Sequence, residues 1–270
     1  MDSDGGIVME KIREPAVAGT FYPADPEELR SMLHTYLAES ASDGSPPKAM
    51  IVPHAGYIYS GPVAASGYAR LQQAADHIDQ VILLGPAHRV AFNGLAASSA
   101  AGFKTPLGTI PLDRAAISDI LTRPQVHIND EAHRLEHSLE VHLPFLQLIL
   151  NQFTLVPLVV GDASPDEVCE IIGHFWDRPG TVIIISSDLS HFHDYETAVQ
   201  LDNKTARAIE GLALEKISHD HACGRNPVNG LLLYARQHGL SVHTVDLRNS
   251  GDTAGPRDQV VGYGTWVISA

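Results

Sequence analysis

The sequence predicts an α/β fold: a single domain with a mostly parallel central sheet flanked by helices. Three observations predict it. From residue 49 to the end, strand-like apolar runs alternate with helix-like segments. The runs near 49–53, 81–84 and 181–186 are continuously apolar at their centres, as in strands buried on both faces. The 270 residues, 44% of them apolar, are enough for one large core.

The elements follow in order. Residues 1–13 read as an irregular N-terminus and 14–270 as the domain. Pro15–Pro23 is an irregular apolar lead-in. Asp25 caps a helix running to about Leu37, with Pro26 at its first position and Glu27 and Glu28 at its positive end. Ser40–Pro47 is a polar, Gly/Pro-rich loop. It does not divide domains, because the helix before it is too short to fold alone. A strand at 49–53, a small-residue helix near 61–74 and a strand at 81–84 come next. A hairpin is expected from Leu95–Ser98 and Thr109–Leu112 around the turn-rich Thr105-Pro106-Leu107-Gly108. Helices near 113–122 and 139–151 flank a His-rich loop. Then come a strand at 154–160, a helix at 165–176, a strand at 181–186 and helices at 196–212 and 227–238. Strands Ser241–Leu247 and Val260–Ser269 close the chain.

Bulk composition excludes several functions. A net charge of -14 and no cluster of Lys and Arg disfavour a nucleic-acid partner. With two cysteines, Cys169 and Cys223, the fold does not rest on disulfides, which fits a reducing cytoplasm. Met1–Gly6 is acidic and lacks the basic-then-apolar pattern of a secretory leader. No apolar stretch approaches the roughly 20 residues of a membrane helix. There is no Gly-x-Gly-x-x-Gly after a strand, no Walker loop and no Gly-x-Ser-x-Gly elbow.

What stands out is three histidines, each just past a strand-like run. His54 follows Ala49–Pro53, His88 follows Val81–Ala87, and His191 follows Val182–Ser190. Open parallel sheets bind ligands beyond the carboxyl ends of their strands. If the first two strands are neighbours about 4.8 Å apart, His54 and His88 can share one metal ion. Asp188 can hold an imidazole in one tautomer, and His191 can move a proton near neutrality. In Glu136–Phe145, His137 and Glu140 share a face if the segment is helical; Ser138 as a helix cap is the equally good alternative. Cys223 precedes a helix start, a position that can lower a thiol pKa, although a small buried side chain is the plainer reading.

Taken together, five segments resemble the Memo family, in the family's order and over about residues 14–269. They are Pro53-His54-Ala55-Gly56-Tyr57, Leu84-Gly85-Pro86-Ala87-His88, Glu136-His137-Ser138-Leu139-Glu140-Val141-His142-Leu143-Pro144-Phe145, Ser186-Ser187-Asp188-Leu189-Ser190-His191 and Cys223-Gly224-Arg225-Asn226-Pro227. The resemblance implies a fold like that of the extradiol ring-cleaving dioxygenases, which use non-haem iron. It places His54 and His88 on metal-ligand histidines and His191 on an acid–base residue. It also implies a link to Ammecr-like and radical-SAM proteins, with which prokaryotic members are grouped. Some members carry a cysteine shortly before the last strand, where this chain reads Asn249–Gly255 with Thr253 at about that place. Adjacent Asp252 would complete a two-His-one-carboxylate set, the facial arrangement of non-haem Fe(II) oxygenases. The expectation is an Fe(II) oxidoreductase, with Zn or Cu as alternative ions. The competing expectation is a non-catalytic scaffold that binds a metal, a small molecule or a peptide in the same cleft.

Overall fold

The computed structural model describes residues 11–40 and 43–269; the acidic start Met1–Gly6 lies outside them. Within the segment expected to be irregular, Ile12–Arg13 form a short strand, β1. Helix α1 (Pro26–Ala38) is capped as its sequence dictates, with Asp25 accepting from the Glu27 and Glu28 N–H groups. Strand β2 (Ala49–Val52) leads to α2 (Tyr57–Leu71). That helix starts before Pro62 rather than at it. Pro62 leaves the Ile58 carbonyl without its helical donor, and Ile58 is half exposed, so water can serve there.

Then come β3 (Gln80–Pro86), β4 (Leu95–Ala97), β5 (Gly102–Thr105) and β6 (Gly108–Pro111). The expected hairpin is corrected here. Its arms are β5 and β6 around Pro106-Leu107, and they join β1 in a small three-stranded sheet. Leu95–Ala97 instead lies in the main sheet with all three residues buried. An apolar run without polar alternation fits a two-faced burial site better than a surface hairpin.

Helix α3 (Arg114–Ile120), β7 (Val126–Ile128), α4 (Asp130–Arg134) and α5 (Leu143–Ile149) follow, with a 3₁₀ turn at Glu140–His142 leading into α5. The chain continues through β8 (Thr154–Val160), α6 (Pro165–Trp176), β9 (Thr181–Ser186), β10 (His191–His193), α7 (Tyr195–Glu210) and α8 (Arg225–Gln237). It ends with β11 (His243–Asn249), α9 (Ser250–Thr253) and β12 (Val260–Ile268).

The main sheet has nine strands in the order β10-β12-β2-β9-β3-β8-β4-β7, with β11 also paired to β12. Its centre, β2-β9-β3-β8, is parallel. Strands β12 and β4 close the two sides of that centre in antiparallel register. Helices α1, α2 and α5 pack together and onto β2 and β12, while α6 and α8 pack together and onto β3 and β9. Every residue of β2 and β9 is buried.

One pairing differs from expectation and matters for the site. Strands β2 and β3 are not neighbours, because β9 lies between them. Val52 is in register with Ser186, and Leu84 with Ile185. The loops bearing His54, Asp188–His191 and His88 therefore leave three adjacent strands side by side, with Ser186 beneath them.

Candidate metal centre

His54 and His88 converge from opposite sides of β9, with ring centroids 5.1 Å apart. Each is held by its own anchor, and each anchor fixes a tautomer. Ser186 Oγ lies 2.6 Å from the Ser138 carbonyl, 2.5 Å from His54 Nδ1 and 2.9 Å from His142 Nε2. A carbonyl only accepts, so the single hydroxyl proton goes to Ser138. Both imidazole nitrogens facing Oγ must then carry protons. His54 is thereby the Nδ1–H tautomer, with a lone pair on Nε2. His142 Nδ1 is left to accept from the Tyr68 hydroxyl at 2.8 Å. On the other side, His88 Nδ1 donates to Glu136 Oε1 at 2.9 Å, leaving its Nε2 lone pair free.

The third donor is Cys223. Its Sγ is 3.3 Å from His54 Nε2, and ligand atoms of His54, His88 and Cys223 all lie within 4.8 Å of one another. The thiol is carried there by the turn before α8. Gly224 makes that turn possible, since a Cβ on it would stand 2.4 Å from the Ser186 carbonyl. A second group, His88, Glu136 and His137, meets the same distance test. In it, however, the carboxylate already receives the His88 Nδ1 proton and the His88, His137 and Ser138 backbone N–H groups. Glu136 is better placed to orient His88 than to bind an ion. Two imidazole nitrogens and a thiol suit zinc, copper or iron. The donor chemistry therefore fits a transition metal.

Above this cluster is a recess of about 510 Å³ lined by His54, His88, Arg89, His137, Asp188 and His191. His137 stacks on His88, with centroids 4.7 Å apart. Asp188 Oδ1 accepts from the His54 backbone N–H at 2.7 Å, and Oδ2 is 3.9 Å from His54 Nε2. Asp188 therefore braces the His54 loop directly. His191, on β10, lines the recess beside it.

Two expected site residues stand elsewhere. Asp252 is outside both potential ligand groups. One of its oxygens caps the start of α9 by accepting from the Asn249 N–H at 3.0 Å, and the other accepts from the Tyr195 hydroxyl at 2.7 Å. The local sequence Asn249-Ser250-Gly251-Asp252 is a capping box, and that bonding fixes the carboxylate. Glu140 is buried below the site, where it accepts from the Ala16 and Val17 N–H groups, the Tyr22 hydroxyl and Arg13. Ser138 caps no helix; its hydroxyl donates to the Pro86 carbonyl. Sequence reasoning missed Glu136, Ser186 and His142 as the anchors of the site. The visible signal for Glu136 was a carboxylate directly beside His137 in a His-rich loop.

Electrostatics follow from burial. Burial, then the neighbouring imidazoles, hold His54 well below the usual histidine range. Burial and the nearby His137 push His142 down to about 3, and burial lowers His137 to about 4. Burial raises Glu136, but the His88 contacts and backbone N–H groups outweigh it and bring it down to about 2. Burial pulls Asp188 up to about 6, against the His54 N–H and nearby histidines. Burial, then the Asp188 charge, push the Cys223 thiol up. These shifts predict a pH profile for the metal-free protein. His137 and His142 bind protons more readily when unfolded, so stability is lost as pH falls from the ordinary 6.5 toward 4. Glu136 adds loss from its ordinary 4.5 toward 2. Asp188 has the opposite sign and returns some stability as pH drops through 6. Urea melts at stepped pH should show a net decline that begins below about 6.5. In Glu136→Gln the further decline below 4.5 should flatten.

The fold and site together define an α/β protein with a His/Cys cluster at the carboxyl edge of a parallel sheet, His54 buried and His88 open to solvent. The Memo-like protein family model matches residues 13–267. A MEMO1 family protein of Aquifex aeolicus is 36% identical over 264 residues, covering 94% of this chain and 97% of that protein. MEMO1 family proteins of Saccharolobus solfataricus and Sulfolobus acidocaldarius are 32% and 34% identical, each covering 93% of this chain and 97% of the relative. The chain belongs to the Memo family. Among the described residues, no helix is long and apolar enough to cross a membrane.

Proposed function

We propose that this protein holds one transition-metal ion on His54 Nε2, His88 Nε2 and Cys223 Sγ and acts as a dioxygenase-like oxidoreductase. The observation that carries the reading is the convergence of two separately anchored imidazole lone pairs on one thiol. Fe(II) is the ion that the resemblance to the extradiol dioxygenases implies, and a redox-active ion there would supply one-electron chemistry to a ligand in the recess. The chain supplies the rest. Asp188 and His191, which both line the recess, are the acid–base groups that face that ligand. His137, stacked on His88, forms the wall of the recess on that side of the cluster.

One observation favours the alternative of a non-catalytic metal or ligand scaffold. Asp252 is spent on the α9 cap, so the donor set lacks the carboxylate of the non-haem oxygenases.

The test is metal analysis of untagged protein purified anaerobically and then offered Fe(II), Cu and Zn in turn. Near-stoichiometric metal is expected, lost in His54→Ala and Cys223→Ser and retained in Asp252→Ala. Redox-active metal with oxygen uptake over a phenol panel supports the oxidoreductase. Bound metal without turnover supports the scaffold. No metal under any condition sinks both metal readings.

A further inference from the structure

The donor cluster has a second side. A chamber of about 680 Å³, larger than the histidine recess, reaches Cys223 and shares no lining residue with the recess. It lies between the ends of β3 and β8 and the start of α8. Its apolar wall includes Phe92 and Pro227. The Phe92 ring meets His127 edge-on at 5.5 Å, and the Phe92 carbonyl accepts from the Asp162 N–H at 2.8 Å. The loop is seated so tightly that a Cβ on Gly161 would stand 2.2 Å from that carbonyl. Asn226 Nδ2 bonds the Gly161 carbonyl at 2.8 Å and ties α8 to the same wall.

The polar lining is one-sided. Among the described residues, Asp162 is its only carboxylate and no lysine or arginine lines it. Asn93, Asp162 and His219 have no side-chain hydrogen bond or ion pair among the described residues. The positive end of α8 offers little to an anion. The Gly224 N–H is bonded to Ser187 Oγ at 3.0 Å, the Arg225 N–H to the Ala222 carbonyl at 3.1 Å, and Pro227 has no N–H, which leaves the Asn226 N–H alone for an anion. The net charge of -14 further opposes an anionic ligand. An ammonium group, by contrast, gains the free carboxylate, and an apolar body attached to it gains the Phe92 ring.

We propose that this chamber binds an organic ammonium ion, its apolar body against Phe92 and Pro227 and its charge on Asp162. It is a second ligand site beside the cluster, separate from the recess that holds the ligand of the metal-site reading, and it stands without that reading. The test uses two probes of one shape and opposite charge, phenethylammonium and phenylacetate, titrated calorimetrically into the full chain with and without Fe(II). The amine is expected to saturate and to bind at least tenfold tighter than the acid. Asp162→Asn should shrink that ratio below about threefold, and Phe92→Ala should weaken the amine. Equal binding of the two probes, no saturation, or an undiminished ratio in Asp162→Asn overturns the proposal, the last because net charge alone would then do the sorting. Amine binding in a protein that takes no metal keeps the chamber and removes the metal reading. Metal loading without amine selectivity does the reverse.

Discussion

Replacing Glu140 by alanine is expected to cost the fold about 3–5 kcal/mol, the range for breaking a buried ion pair on one side. Glu140 is 1% exposed and Arg13 8%. The substitution leaves the guanidinium buried without its carboxylate, and the Tyr22 hydroxyl and the Ala16 and Val17 N–H groups lose their acceptor at the same time. Arg13 also donates to the His133 and Glu136 carbonyls, at 2.9 and 2.6 Å. It therefore ties the N-terminal strand to the loop that carries Glu136 and His137. Glu140→Gln keeps an acceptor and should lose less. Urea denaturation at neutral pH measures both. A loss under about 1 kcal/mol in Glu140→Ala would show that the pair is not what holds the N-terminal segment. The pairing explains why a residue that looks like part of a His/Glu site serves the fold.

Much of the architecture was legible because the central strands announce themselves. Val81–Leu84 and Val182–Ile185 are too apolar for any place but a two-faced core, and Ser164-Pro165-Asp166-Glu167 writes its own helix cap. The short elements were not legible. Strands β1, β7 and β10 have two or three residues each and exist because a neighbour pairs with them, which no local pattern records. The site divides the same way. His54, His88 and His191 were visible because each comes a few residues after an apolar strand. Cys223 could be flagged by sequence but not chosen over Asp252, because the choice depends on β9 lying between β2 and β3 and on where α8 starts. Strand order is a long-range property. Asp252 misled because a carboxylate near the last strand is as good a helix cap as a ligand, and only the position of the Asn249 N–H decides between them.

Ser186→Ala is expected to weaken metal binding at the cluster by about 10–100-fold, the usual cost of losing a group that orients a histidine ligand. No ligand atom is touched, so the effect must come from the proton order around the hydroxyl. In the intact site every donor and acceptor is accounted for: Tyr68 to His142, His142 to Ser186, Ser186 to Ser138, and His54 to Ser186. Removing Oγ leaves Nδ1 of His54, a residue only 2% exposed, without an acceptor. The ring then gains by moving its proton to Nε2, where Cys223 Sγ is 3.3 Å away, and that is the atom an ion needs free. Nitrogen-15 spectra of the metal-free protein read this directly, with a single Nδ1–H tautomer for His54 in the wild type and a mixture or the Nε2–H form in Ser186→Ala. Tyr68→Phe makes the sharper comparison. It frees His142 to change tautomer, and Ser186 can then donate to His142 Nε2 instead of to Ser138 while still accepting from His54. Its metal affinity should stay within a few-fold of wild type. Equal losses in Ser186→Ala and Tyr68→Phe, with the His54 tautomer unchanged in both, would mean that packing around the buried rings sets the affinity and that the proton order does not.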